Sequence, residues 1–302
     1  MSSTLPPRIR RARLLELAFG LFGLLLLGAA AFTLLVLLFD LVRSGLPHLD
    51  WDFLSAFPSR RPERAGILPA WVGSLAILSV TAALAVPLGV AAGLYLEAYA
   101  PRGAFTRLVE VNIANLAGVP SILYGLLGLA LFVDGLGLGA SILSAAMVLA
   151  LLILPVVIVA TREALRAVPR TLWEAAYALG ADRRQTLLRF VLPAAAPGIL
   201  TGVIVALSRA VGETAPLVAV GALSFIAFLP PSPLRPEPPY VDAEWLFSPF
   251  TALSIQMFGW LSRPQPAFHE LAAAAGVVLL ALALLINALA IVLRLRARRL
   301  AP

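Results

Sequence analysis

Apolar residues in this chain come in unbroken blocks rather than at the three- and four-residue spacing of a half-buried helix. A bilayer core is about 30 Å thick and takes roughly 20 helical residues to cross, so charge-free runs of that length are the units to count. Five stand clear, over residues 17–39, 65–96, 111–133, 135–161 and 271–293. A sixth, over 190–234, is interrupted by Arg209 and Glu213 and reads as one span carrying two ionisable groups. The stretch 245–262 holds Ser248, Pro249, Thr251, Ser254, Gln256 and Gly259, too polar to prefer hydrocarbon, so six spans are predicted rather than seven. The first run passes Ala29 and Ala31, a small-x-small pattern, and continues to Phe39; that is longer than a secretory signal core, and an uncleaved anchor is expected.

Composition agrees with a polytopic, all-α membrane protein and removes whole classes of chemistry. Of the 302 residues 61% are hydrophobic and 13% charged, against roughly 45–50% and about 25% in soluble domains. All 23 basic residues are arginine, and without lysine there is no P-loop, Schiff base or lysine general base. With no cysteine and only His48 and His269, disulfides, thiol nucleophiles, iron–sulfur clusters and the usual zinc sites are excluded as well. The lipid bilayer is the expected surrounding, and no nucleic acid is expected as a partner.

Six spans place both termini on one side, and 16 of the 23 arginines fall there. They lie in the tail 1–13, at Arg102 and Arg107, between Arg162 and Arg189, and at Arg294, Arg296, Arg298 and Arg299. Short cytoplasmic loops hold the arginine excess, so both termini are expected in the cytoplasm. The segment 43–64 runs against the trend with four arginines outside, accompanied by Asp50, Asp52 and Glu63.

Within the spans, Pro87 and Pro155 each remove a backbone donor and predict a kink. Gly89 with Gly93, and Gly198 with Gly202, are four apart and predict close helix packing. The outward segment 230–269 is proline-dense and then aromatic; it is expected to be an interfacial cap against the membrane surface or an external partner. The inward segment 162–193 reads as short helices. A helix over 171–179 stops at Gly180, and Asp182 with Gln185 has the spacing of a capping box. Ala175, Ala176 and Gly180 allow a large partner to approach closely, while Glu174 offers it a charge.

Glu174-Ala175-Ala176, Gly180 four further on, and Leu192-Pro193 resemble the EAA loop of ABC-importer membrane subunits, with Phe190 where isoleucine is usual. Further runs are more specific. Asn112-x-x-Asn115 with Val119-Pro120-Ser121 and Tyr124-Gly125, and Ser208-Arg209-Ala210-Val211-Gly212-Glu213-Thr214-Ala215-Pro216, are similar to the PstA-type permeases of bacterial phosphate importers, and the likeness runs over about 14–299. The resemblance implies a type I, MetI-like permease with a core at about 65–293, in the bacterial inner membrane. It also implies a PstC-like second permease, a PstB-like ATPase pair, an external PstS-like phosphate-binding protein, and inorganic phosphate as substrate. Glu174, Ala175, Ala176, Gly180, Leu192 and Pro193 would couple to the ATPase. That ATPase would bind ATP and magnesium, and this chain would carry no cofactor, metal or catalytic residue of its own.

Arg209 lies 12 residues past Pro197, roughly 18 Å along its helix and near mid-bilayer. A central arginine costs on the order of 2.5–3.5 kcal/mol on insertion scales, so it should face protein or water. Glu213, four residues on, shares its face. A guanidinium offers an oxyanion two donors, and the expected role of Arg209 is a transient anion contact, with Glu213 holding it in register and weakening its grip. Ser208 and Thr214 would add neutral donors, and Asn112, Asn115, Ser121 and Tyr124, on or near one face of the third helix, would line the same path. A structural ion pair is the competing role for Arg209. Arg162 is expected to snorkel to the interface. Competing functions are a permease for molybdate or sulfate, an ion-coupled carrier relaying protons through Arg209 and Glu213, and an intramembrane enzyme using Glu213 or Asp134; the last lacks any catalytic constellation in the spans.

Overall fold

The computed structural model describes residues 7–300 except 102, 235–239 and 241, so part of the amino-terminal tail and of the proline-dense outward segment lies outside the described residues. Among those described, the secondary structure is helical, with no strand. α1 (Pro7–Gly45) is 39 residues long and apolar on every side through its middle. Phe19, Leu25 and Phe32 are each about 70% exposed or more, an arrangement that suits hydrocarbon and not water. It meets the rest of the chain near its carboxyl end, where Leu41 packs over Gly276 and Gly45 lies directly on the backbone of Ala273.

The scaffold is three helices packed side by side, α3 (Leu68–Ala98), α6 (Ile142–Arg166) and α9 (Leu192–Val211), after the short α2 (Trp51–Ser55). α6 sits in the middle. A Cβ on Gly89 would stand 2.6 Å from Val157 Cγ1, and one on Gly93 2.7 Å from Thr161 Cβ, so α3 rests on one side of α6. On the other side a Cβ on Gly198 would stand 2.8 Å from Ala164 Cβ, and one on Gly202 2.1 Å from Ala160 Cβ. Both glycine pairs thus do what their spacing predicts, letting backbones approach where dispersion rather than the hydrophobic effect must hold helices together. Pro87 and Pro155 lie inside α3 and α6, which each run on as one helix.

Three predicted spans change. The run 111–133 is not one helix but two, α4 (Ala104–Leu116) and α5 (Ser121–Gly128), meeting at 103°. The cause is Gly118-Val119-Pro120: proline has no N–H to give and bars its predecessor from helical geometry. The Leu116 carbonyl, which Pro120 cannot serve, accepts instead from the Val119 N–H at 3.2 Å and the Tyr124 hydroxyl at 2.8 Å. After α5 a π-helical turn (Leu129–Gly135) leads to Gly137 and Gly139, both left-handed at φ near +66°, and α6 begins only at Ile142, capped by Ser141. The run 190–234 also breaks, with α9 ending at Val211 and a short α10 (Ala215–Val220) following. Five long apolar helices, counting α12 (Pro266–Leu300), and the bent pair make up to six crossings.

The outward segment is not merely a cap. Phe250, Leu253, Ile255, Trp260 and Phe268 are 2% exposed or less, and α11 (Leu253–Leu261) is wedged between α3 and α12. The Leu253 N–H donates to Ser74 Oγ at 2.9 Å, and the Thr251 carbonyl presses on Gly73. At nine residues and about 13 Å it is too short to cross the bilayer, so the seventh crossing stays rejected. On the opposite side α7 (Arg170–Ala178) ends at Gly180 with φ +82°, and α8 (Arg183–Gln185) opens with both halves of the Asp182–Gln185 capping box, at 2.7 and 3.2 Å. A π-helical turn (Thr186–Val191) joins it to α9.

The packing makes a direct prediction. Gly202→Leu should lower stability by about 2 kcal/mol or more, because α9 must move off α6, whereas Gly28→Leu, with nothing within 4 Å, should leave thermal unfolding of the purified protein unchanged.

Candidate functional site

Four of the expected pathway residues meet where α9 stops. Arg209 occupies its last turn, with Nε 3.4 Å from Glu213 Oε1; the arginine side chain is 39% exposed and the glutamate 16%. Glu213 lies in the break, not on the helix, and its backbone is held from both directions: its N–H donates to Ala210, and Ser254 Oγ of α11 donates to its carbonyl at 3.1 Å. The buried outward segment therefore positions the charged break. Thr214 precedes α10 without capping it, and lines a cavity of about 600 Å³ with Gly212, Ser254 and Met257. Ser208 is committed elsewhere, donating to the Ile204 carbonyl and bonded to Asn287 of α12. Asn287 was missed in the sequence; its signal was a lone amide in the apolar run 271–293.

The bent span brings some of its residues here and turns others away. Gly125 of α5 packs on Pro216 of α10, which brings α5 against the charged break, and Tyr124 beside it is buried. Ser121 opens α5, half-buried. Asn112 and Asn115 belong to α4, beyond the 103° bend, and share no face with Ser121 and Tyr124. Asn112 bonds its own helix at Leu108, and α4 buries no residue at all.

The inner segment divides similarly. Glu174, Ala175 and Gly180 face outward, but Ala176 is 2% exposed and turned inward, because its face of α7 packs on the π-helical turn before α9. Leu192 packs with Leu172, Trp173 and Val191 in a small core that anchors the segment to α6 and α9, and Pro193 stands beside it in the first turn of α9. Leu179, 82% exposed at the tip, and Tyr177, 46% exposed, offer apolar contact that the sequence reading did not single out.

Arg162 does not snorkel. It is 7% exposed, with Nη2 2.6 Å from Glu110 Oε1 on α4 and Nε 3.4 Å from Glu97 Oε2 on α3; Arg166 Nε also reaches that Glu97 oxygen, at 2.9 Å. Three helices are thereby pinned at their inner ends. Removing one partner of a buried pair strands the other charge, at a cost of roughly 3–5 kcal/mol. Arg162→Met leaves only Glu110 without a partner, since Glu97 keeps Arg166, and both carboxylates are partly exposed, so the purified protein should lose about 1–3 kcal/mol in thermal unfolding and regain part of it when Glu110→Gln is added; no loss at all would show that the contact does not form in the native state.

Comparison with known proteins gives a consistent result. Residues 85–236 match the family described as binding-protein-dependent transport system inner membrane component. The phosphate transport system permease protein PstA of Haemophilus influenzae is 36% identical over 222 residues, 73% of this chain and 78% of that protein. PstA 1 of Mycobacterium tuberculosis is 45% identical over 157 residues, 52% of this chain, and the alignment spans about half of that relative's length, 51%. Among solved structures, a bacterial alginate ABC transporter in complex with its alginate-bound periplasmic protein superposes with a TM-score of 0.62 over 92% of this chain and 94% of that one; at 14% identity this shows the fold alone.

Proposed function

Because the chain belongs to the family of binding-protein-dependent transport system inner membrane components, we propose that it is the permease subunit of an ATP-driven phosphate importer, forming half of the substrate path and doing no covalent chemistry itself. The observation that carries this reading is the placement of the Arg209–Glu213 pair at one end of α9 and the coupling segment at the other. α9 is 20 residues long, about 30 Å, and no loop intervenes between its first turn and the π-helical turn that supports α7. Motion imposed on Glu174, Ala175, Leu179 and Gly180 by a cytoplasmic ATPase pair is delivered along α9 to the charged break. That ATPase, not this chain, holds ATP and magnesium.

At the break the chemistry is an exchange of partners. A phosphate oxygen meets the half-exposed guanidinium of Arg209, and Glu213 releases the arginine to the anion and takes it back as the anion leaves. Thr214 adds a neutral donor from the wall of its cavity, and Tyr124, bonded to the Leu116 carbonyl, holds the bend of α4 and α5 beside the break. Ser208 steadies the arginine's helix against α12 through Asn287. The exposed apolar face of α5, with Leu123, Leu126 and Leu127, suits a second, PstC-like permease supplying the other half of the path, and a PstS-like binding protein delivers phosphate to the outer face. Phosphate is favoured over molybdate or sulfate by the PstA relatives. The arginine excess on the coupling side supports cytoplasmic termini, and the family relatives support the bacterial inner membrane as its location.

In vesicles holding the assembled importer, Arg209→Gln should reduce ATP-dependent phosphate uptake at least tenfold, the loss of one charge-assisted contact of about 1.5–3 kcal/mol, with the complex still assembled. Normal uptake by an assembled Arg209→Gln complex would show the pair to be structural only, and uptake that persists without ATP but stops with an uncoupler would favour an ion-coupled carrier.

A further inference from the structure

The inner ends of α3, α4 and α6 enclose more positive charge than they neutralise. A cavity of about 580 Å³ opens there, lined by Arg107, Arg162, Arg166 and Arg170 against Glu97 and Glu110. Glu97 and Glu110 are taken up by Arg162 and Arg166, and Glu163, on the surface, also meets Arg166. Among the described residues Arg107 and Arg170 make no ion pair, so two guanidinium groups face the cavity uncompensated. Arg162 is more than nine-tenths buried and its Nε keeps no hydrogen-bond partner despite the nearby Glu97. The cavity is polar, basic and built on rigid helix ends, which suits an anionic headgroup of phosphate type.

A second feature says what that anion is attached to. Directly beside the cavity runs an apolar groove of about 470 Å³ between α3 and α4, lined by Tyr95, Phe105, Val109 and Ile113; the two hollows share Leu96 and Thr106. Tyr95 is 57% exposed and Phe105 78%, large aromatic side chains left open at the level where the helices end, as at a membrane interface. A charged pocket opening into an apolar groove at headgroup depth has the shape of a diacyl lipid, whereas free phosphate would use only the pocket.

We propose that the inner ends of α3, α4 and α6 bind one anionic phospholipid of the cytoplasmic leaflet, its phosphate beside Arg107 and Arg170 and an acyl chain in the groove along Tyr95 and Ile113. The inference rests on the membrane orientation and is independent of what the chain transports. The bound lipid neutralises the excess charge next to α7, whose first residue is Arg170, and so fixes the inner ends against which the coupling segment moves.

Native mass spectrometry of the full chain in zwitterionic detergent tests this. Dioleoylphosphatidylglycerol should be retained at one per chain and dioleoylphosphatidylcholine at the same concentration should not. Arg107→Gln together with Arg170→Gln should weaken phosphatidylglycerol binding roughly twenty-fivefold, about fivefold for each arginine removed. A second arm leaves the protein unaltered: glycerophosphoglycerol, the same headgroup without chains, and inorganic phosphate should each bind at least tenfold more weakly than the lipid. Equal retention of phosphatidylcholine, or undiminished binding by the folded double variant, would overturn the site. Inorganic phosphate binding as tightly as the lipid would overturn it in favour of a free-anion site, and expulsion of the lipid when a second permease assembles would overturn it in favour of a protein contact.

Discussion

An arginine in the last turn of an apolar helix has to be answered, and much of this structure follows from how Arg209 is answered. The helix stops two residues later, so Glu213 lies in irregular backbone where its carboxylate can turn back to the guanidinium. Irregular backbone at that depth needs its own partners. The Glu213 carbonyl takes one from Ser254, which requires α11 to be buried, and α11 is anchored in turn through Leu253 to Ser74 of α3. The path from a single charge thus runs through the outward segment to the first helix of the scaffold. Close glycine contacts on both sides of α6 make that scaffold rigid enough for the pair to be held at a defined place.

A second charge system closes the other end. Arg162, Glu97, Glu110 and Arg166 tie α3, α4 and α6 where the chain leads into α7. The two systems differ in kind. Arg162 is buried and doubly contacted, which suits a fixed joint, while Arg209 is partly open and held by one 3.4 Å contact, which suits a group that changes partners. The Arg209–Glu213 pair is the weaker of the two, as release of an anion would require.

Much of the fold was legible because membrane spans are written in hydropathy. The runs 17–39, 65–96 and 271–293 became α1, α3 and α12, and the capping residues Gly180, Asp182 and Gln185 stood where local rules put them. The bend in the third run was also written, in Gly118-Val119-Pro120, but counting charge-free length overrode it. What could not be read depends on distant partners. Ser254 and Gln256 look exposed by polarity, yet they are buried, and Ser254 finds its acceptor on Glu213, 41 residues away. Arg162 pairs 52 residues upstream with Glu110, and no local pattern announces that. Ala176 differs from Ala175 only in helix phase, and the phase is set by packing against the turn before α9.

In the proposed importer, movement of α7 is felt at the charged break about 30 Å away along α9, at about 1.5 Å for each of its 20 residues. The chain has no cysteine, so a single Thr214→Cys places one thiol in the break. Its labelling by a membrane-impermeant maleimide can be timed in the assembled transporter with and without nucleotide trapped by vanadate. Transmission along α9 predicts at least a fivefold change in labelling rate between the two states; an identical rate in both would contradict it.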